Sequence, residues 1–257
     1  MPGENLTRQE AAERAALVDV ESYDVELDLT RGERVFASRT TISFSARTGA
    51  STFVDLIADT VHEIRLNGRY LDPHAWDGAR ITLTDLEERN ELLVVADARY
   101  MRTGEGLHRF VDPVDDEVYL YSQFEVADSR RVFAVFEQPD LKASFRFTVT
   151  APRHWTVVST SPTPEPEPAP DHHDAGVWRF APTPRIPSYI TAVSAGPYHR
   201  VSGELTSSDG RTVPLGVYCR ASLAEHLDAE NIMDVTRAGF AFFEEAFDRP
   251  YPFEKYD

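Results

Sequence analysis

Residues 119–145 read YLYSQFEVADSRRVFAVFEQPDLKASF, and this stretch decides the fold. Residues 118–124 and 143–150 read as strands, because aromatic and apolar residues recur in them at extended spacing. Between them Ala127 to Phe136 reads as a short helical or turn-like crossing. Pro139 stops that crossing, since proline lacks the N–H that would continue it.

Working outward, strand signals dominate. Tyr23, Val25, Leu27 and Leu29 alternate with Asp24, Glu26 and Asp28, a period of two that turns one face inward. Ile42 and Phe44 carry the pattern into a second strand, and 52–57, 80–84 and 91–96 give others. Asn67-Gly68, between Ile64-Arg65-Leu66 and Tyr70-Leu71, predicts a two-residue hairpin. Many short strands separated by turns point to a mainly β chain, a sandwich or open barrel. Helix is expected at two places. Thr7 and Glu10 have capping-box spacing ahead of an alanine-rich run, which predicts a helix over 7–18. Ser222 and Glu225 repeat that spacing before a second helix. In that helix Met233, Phe240, Phe243 and Phe247 recur at helical intervals and read as core.

Two segments bear on domain division. Residues 162–170, PTPEPEPAP, have linker composition, but strand-like residues 155–159 and 177–180 flank them, so a long hairpin loop is expected. A boundary is placed instead near Gly196-Pro197, giving domains 1–196 and 197–257. After it, 201–218 reads as a strand pair around Ser208-Asp209-Gly210, followed by the second helix. The closing YPFEKYD reads as the approach to another strand, cut mid-domain.

Composition excludes some functions. With 257 residues, 42% hydrophobic and 27% charged, the chain can bury a core. A net charge of −17 argues against nucleic acid, whose phosphates require Lys and Arg stripes. Lysine occurs only at Lys142 and Lys255. The single cysteine, Cys219, forbids an internal disulfide and reads as a buried thiol. The N-terminus has no apolar signal core and no long apolar run follows, so a cytoplasmic protein without membrane contact is expected.

The chemistry-bearing candidates are few. In an extended segment Gln123 and Glu125 lie on the same side, two residues apart. A carboxylate beside an amide can bind an α-ammonium, which is largely charged at neutral pH. The alternative is a Glu solvated on a sheet surface. His62-Glu63 fails the HExxH zinc pattern, since Leu66 stands at the second His position, and it sits on a strand beside the hairpin. His172, His173 and Asp174 follow the proline tract with no fourth ligand near, and read as a solvated loop. No G-x-S-x-G elbow or glycine-rich phosphate loop occurs.

On Gln123, Phe124, Glu125, Arg130 or Arg131, Phe133, Phe136, Pro139, Lys142, Ala143 and Phe145, the chain resembles the aminopeptidase N family of zinc exopeptidases (gluzincin aminopeptidases). That family's pattern runs Q-F-E-x-x-x-A-R, then F-P-C-F-D-x-P, then K-A-x-F. The upstream run GEGLHRFVDPVDDEVYLYSQFE, residues 104–125, is similar to actinobacterial-type members, and a structural role is expected for His108 within it. The resemblance implies a mainly β, sandwich or saddle-like N-terminal domain followed by the opening β-α part of a thermolysin-like catalytic domain. It implies an enzyme that removes N-terminal amino acids from peptides, with zinc as cofactor and a monomeric state. Glu125 would then contact the substrate amino group, and Gln123 would line the first side-chain pocket. HExxH and G-x-M-E-N are absent and expected beyond Asp257, so residues 1–257 by themselves are expected to hold no catalytic or metal residue and to be inactive. Two departures are Val126, where the family often has Pro, and Glu137, where it usually has Asp; Glu137 is assigned no catalytic role. Two other functions stay open: a non-catalytic scaffold relative that binds protein partners, and an unrelated carbohydrate-binding β-sandwich that stacks sugars on exposed Trp76, Trp155 or Trp178.

Overall fold

The computed structural model describes residues 5–170 and 172–257. It is mainly β and separates into two compact units. One runs to Phe110 and resumes over Leu120–Ala195, and the other comprises Val111–Tyr119 with Gly196–Asp257.

The first unit is built on an eight-stranded sheet, in the order Glu167–Pro168, Ala175–Arg179, Ser144–Pro152, Val18–Asp28, Val35–Ala46, Arg89–Arg99, Thr60–Leu66, Arg69–Tyr70. Neighbours pair antiparallel except at its centre, where Val18–Asp28 runs parallel to Ser144–Pro152 and sets Tyr23 opposite Phe145, Val25 opposite Phe147 and Leu27 opposite Val149. Sequence alternation placed these residues on one face; the parallel partner, more than a hundred residues away, had no local signal. Their inward faces close on Phe133, which sits edge-on to Phe147 at 5.8 Å and to Phe124 at 5.9 Å. Tyr23 and Phe145 stack at 4.6 Å between centroids. The Asn67-Gly68 hairpin forms as expected, with φ of +52° and +77°, the left-handed pair that a tight hairpin needs.

Helix Arg8–Ala15 opens this unit with its capping box in place. Thr7 Oγ1 accepts from the Glu10 N–H at 3.2 Å, and Glu10 Oε2 accepts from the Thr7 N–H at 2.8 Å. The helix is shorter than 7–18, because Val18 is already the buried first residue of the strand paired to Val35–Ala46. The proline-rich stretch is also not a loop closing one hairpin. Thr156–Ser159 belongs to a four-stranded sheet, whereas Ala175–Arg179 belongs to the eight-stranded one, so the chain crosses between sheets. Glu167–Pro168 then pairs at the edge, where a proline without an N–H is tolerated.

In the second unit strands His199–Thr206 and Thr212–Cys219 form the expected hairpin. The helix after it is Ala229–Phe247, capped by Asp228, whose Oδ1 accepts from the Asn231 N–H at 3.3 Å. The Ser222/Glu225 capping box does not form. A 3-10 turn covers Ala221–His226, and Ser222 Oγ donates instead to Asp112 Oδ2 at 2.5 Å. Met233 is buried against Leu205, Val213 and Leu215, with Phe240 and Tyr251 partly buried beside it. Phe243 and Phe247, expected as core, are 55% and 74% exposed, with no further layer against that side of the helix among the described residues. They border a groove of about 880 Å³ lined also by Val235, Pro250 and Tyr256. Cys219 is half-buried rather than buried, and desolvation raises its thiol pKa. No helix among the described residues is long and apolar enough to cross a membrane.

Candidate functional site

Strand Val118–Gln123 carries the candidate residues to the edge of a compact turn. It pairs antiparallel with Val193–Gly196, Ser194 opposite Tyr121 and Ala195 opposite Leu120, and Ser122 Oγ accepts from the Val193 N–H at 2.8 Å. From Tyr121 onward the pleat alternates: Tyr121 and Gln123 are exposed, and Phe124 turns inward at 2% exposure. Burial of Phe124 against Phe133 pins the point where strand gives way to turn.

Glu125 lies in that turn and not in extended chain, so its relation to Gln123 differs from the same-side strand pair expected. The link runs from side chain to backbone. Gln123 Oε1 accepts a short hydrogen bond from the Glu125 N–H, and Gln123 Nε2 donates to the Glu125 carbonyl at 3.2 Å. One amide thus holds both polar groups of the Glu125 backbone. The Glu125 carboxylate is exposed, and no hydrogen bond or ion pair reaches it from the described residues. Such a carboxylate, on a fixed backbone and without an internal cation, can receive an ammonium from outside.

The turn is secured from below by groups that sequence reading missed. The Phe124 carbonyl accepts from the Asp128 N–H at 3.1 Å, and the 3-10 turn Ser129–Arg131 follows. The Val126–Ala127 peptide bond is cis. Glu137, 5% exposed, accepts from Ser129 Oγ and from the Arg130 N–H (2.8 Å), and its other oxygen accepts from Ser188 Oγ at 2.8 Å. Its own N–H donates to Asp55 Oδ2 at 3.1 Å. Asp55 in turn pairs with Arg14 Nη1 at 2.8 Å, both side chains being almost fully buried. Burial raises the Glu137 carboxyl above its ordinary range, against the opposing pull of the Ser129 and Ser188 hydroxyls. Glu137 therefore stitches the turn to the sheet and has no open side toward solvent. Arg14 and Arg80 carry guanidinium nitrogens with no hydrogen-bond partner, and both lie over the Phe53 ring, at 4.7 and 4.1 Å from its centroid. Nothing local in the sequence marks Arg14 as buried, because arginine is ordinarily a surface residue.

Of the two arginines left open in the motif, Arg130 is buried and Arg131 half-buried. Arg131 bonds Asp128 at 2.7 Å and Glu105 at 3.3 Å. His108 takes a structural position, its Nδ1 accepting from the Gly104 N–H at 3.0 Å. His62 is on a strand and pairs with Asp97 at 2.8 Å. The side chains of His173 and Asp174 are 97% and 100% exposed. No group of three or more His, Cys, Asp or Glu converges on a metal site among the described residues, so the residues present do not fit zinc. None of the three tryptophans is exposed as the sugar-stacking reading expected: Trp178 is buried, and Trp76 and Trp155 are half-buried, Trp76 Nε1 donating to the Leu56 carbonyl.

Comparison with known proteins bears on the same residues. Residues 20–190 match the family described as Peptidase M1 N-terminal domain. The whole chain is 58% identical to aminopeptidase N of Streptomyces lividans, over 30% of that relative's length. Over 138 residues, 54% of the chain, it is 33% identical to aminopeptidase N of Acetobacter pasteurianus, covering 36% of that protein. A crystal structure of Legionella pneumophila aminopeptidase A in complex with aspartic acid superimposes with a TM-score of 0.79 at 16% identity, over 93% of this chain and 28% of that one. The chain thus spans about a third of the length of these relatives.

Proposed function

Because the chain belongs to the peptidase M1 N-terminal domain family, we propose that it serves a zinc-dependent aminopeptidase that removes N-terminal residues from peptides, and that its own part is to hold the substrate's amino end. The observation that carries this reading is the exposed Glu125 carboxylate, without a partner among the described residues, on a turn whose backbone Gln123 clamps. An α-amino group has a pKa of about 7.7–8.0 and is largely protonated at neutral pH, so it presents a cation to that carboxylate. A charge-assisted hydrogen bond of this kind contributes about 1.5–3 kcal/mol where water is excluded. The interior of a peptide has no ammonium to offer, so the contact selects chain ends. Gln123 keeps a second N–H and a second lone pair for the substrate's first residue.

The zinc implied by this reading finds no ligands among the described residues, and no step assigned to this chain runs through it. The same proposal takes 1–196 as the β-rich domain and 197–257 as the start of the zinc peptidase domain, in a monomeric cytoplasmic enzyme. The test is kinetic. In the full-length enzyme Glu125→Ala is expected to raise KM for amino-acid arylamides about tenfold or more. Unchanged kinetics would remove the anchor assignment.

A further inference from the structure

Beside Gln123 on the same face of strand Val118–Gln123 stands Tyr121, 42% exposed. Its ring is not loose. The His108 imidazole, on strand Gly106–Val111, stacks on it with centroids 4.7 Å apart and planes 23° from parallel. His108 is itself held through its Nδ1 by the Gly104 N–H at 3.0 Å, which fixes the imidazole plane. Burial lowers its pKa, which favours the neutral, uncharged ring. The pair therefore presents a flat aromatic surface, with the Tyr121 ring backed by the imidazole and 42% of the residue exposed.

The segment bearing His108 is tied to the turn bearing Glu125. Arg131, six residues past Glu125, bonds Glu105 at 3.3 Å and Asp128 at 2.7 Å. Gly106 approaches so closely that a Cβ there would lie 2.9 Å from Arg131 Cβ, and its φ of +60° also favours glycine. Tyr121 and Gln123 are two residues apart on a strand, about 6.6 Å along it. That is the reach of a large side chain extending from a Cα whose amino group is bound next to Gln123.

Resting on the Glu125 anchor reading, we propose that Tyr121 and His108 form a platform for the side chain of the substrate's N-terminal residue, making large apolar and aromatic termini the preferred class. A small side chain would leave the ring in water, whereas a flat or branched one would cover it and gain contact area. Tyr121 and His108 are thus specificity-determining residues and take no part in bond breaking.

The experiment measures kcat/KM for phenylalanine, leucine and alanine arylamides with the full-length enzyme. Tyr121→Ala is expected to lower the phenylalanine-to-alanine ratio about three- to tenfold, and Tyr121→Phe, which keeps the ring, to preserve it. Partial unfolding would reduce all three substrates alike and leave the ratio fixed, so the ratio isolates the platform. A ratio unmoved by Tyr121→Ala overturns the proposal. Glu125→Ala in the same assay reports on the anchor separately: it should weaken all free-amine substrates to a similar degree. If it does so while Tyr121→Ala leaves the ratio unmoved, only the platform is lost. If Glu125→Ala has no effect, the anchor reading fails.

Discussion

Phe124, Phe133, Phe145 and Phe147 in the first unit are at most 2% exposed, whereas Phe242, Phe243 and Phe247 on the helix of the second are 64%, 55% and 74% exposed. Phe145 and Phe147 follow the strand period of two, and Phe243 and Phe247 are four apart on the helix. Periodicity fixes which residues share a face. It cannot supply the opposing layer. In the first unit that layer exists, since Phe133 comes in from the crossing segment to meet Tyr23, Phe145 and Phe147 edge-on. On the helix Met233 and Phe240 make the apolar contact with the hairpin, while Phe243 and Phe247 border a groove.

The largest effect expected from this difference is in the first unit. Phe133→Ala should cost about 3–5 kcal/mol in urea unfolding, because it opens a cavity among four rings. Met233→Ala, the matching change in the second unit, should cost about 2–3 kcal/mol, since one sheet face alone surrounds it. If Phe133→Ala cost less than Met233→Ala, the contrast between a closed and a half-open core would be wrong.

A subtler contrast lies in two carboxylates that act as latches. Glu137 in the first unit is held above its ordinary pKa of 4.5 by burial. Its contribution is full below the unfolded pKa and is lost as pH rises through the folded one. Glu244 in the second unit accepts from Ser207 Oγ and from the N–H groups of Ser208 and Tyr251, and these bonds hold its carboxyl below its ordinary value. Its contribution is full above the unfolded pKa of 4.5 and is lost as pH falls through the folded one. In denaturation curves between pH 3 and 8 the stability of wild type relative to Glu137→Gln should therefore fall as pH rises, and its stability relative to Glu244→Gln should rise. Parallel curves would refute the assignment.

The smallest change in stability is expected at Phe243. Phe243→Ser should alter unfolding by no more than about 0.5 kcal/mol, while reducing the binding of a hydrophobic dye to the chain. A loss comparable with that of Met233→Ala would mean the ring is buried in solution.

Local signals carried much of the architecture. The alternation of Tyr23, Val25 and Leu27, the Asn67-Gly68 hairpin and the Thr7/Glu10 capping box each involve residues within a few positions of one another, so their physics is complete in a short window. The Ser222/Glu225 spacing had the same form and failed, because Asp112 claims the Ser222 hydroxyl at 2.5 Å. At the candidate site, the motif picked out Gln123 and Glu125. It did not reveal that the Gln123 amide grips the Glu125 backbone, or that Arg14, Asp55, Glu137 and Ser188 support the turn beneath it.

From its sequence alone, then, the chain's mainly β character, its hairpins, the faces of its strands and the candidate amine anchor could be read. These depend on neighbours in the chain, where covalent geometry fixes distance. The parallel pairing of Val18–Asp28 with Ser144–Pro152, the burial of Arg14 and Glu137, and the exposure of the helical phenylalanines were decided only by tertiary structure. Each depends on whether a distant segment arrives to exclude water from a side chain, and no local pattern encodes that arrival.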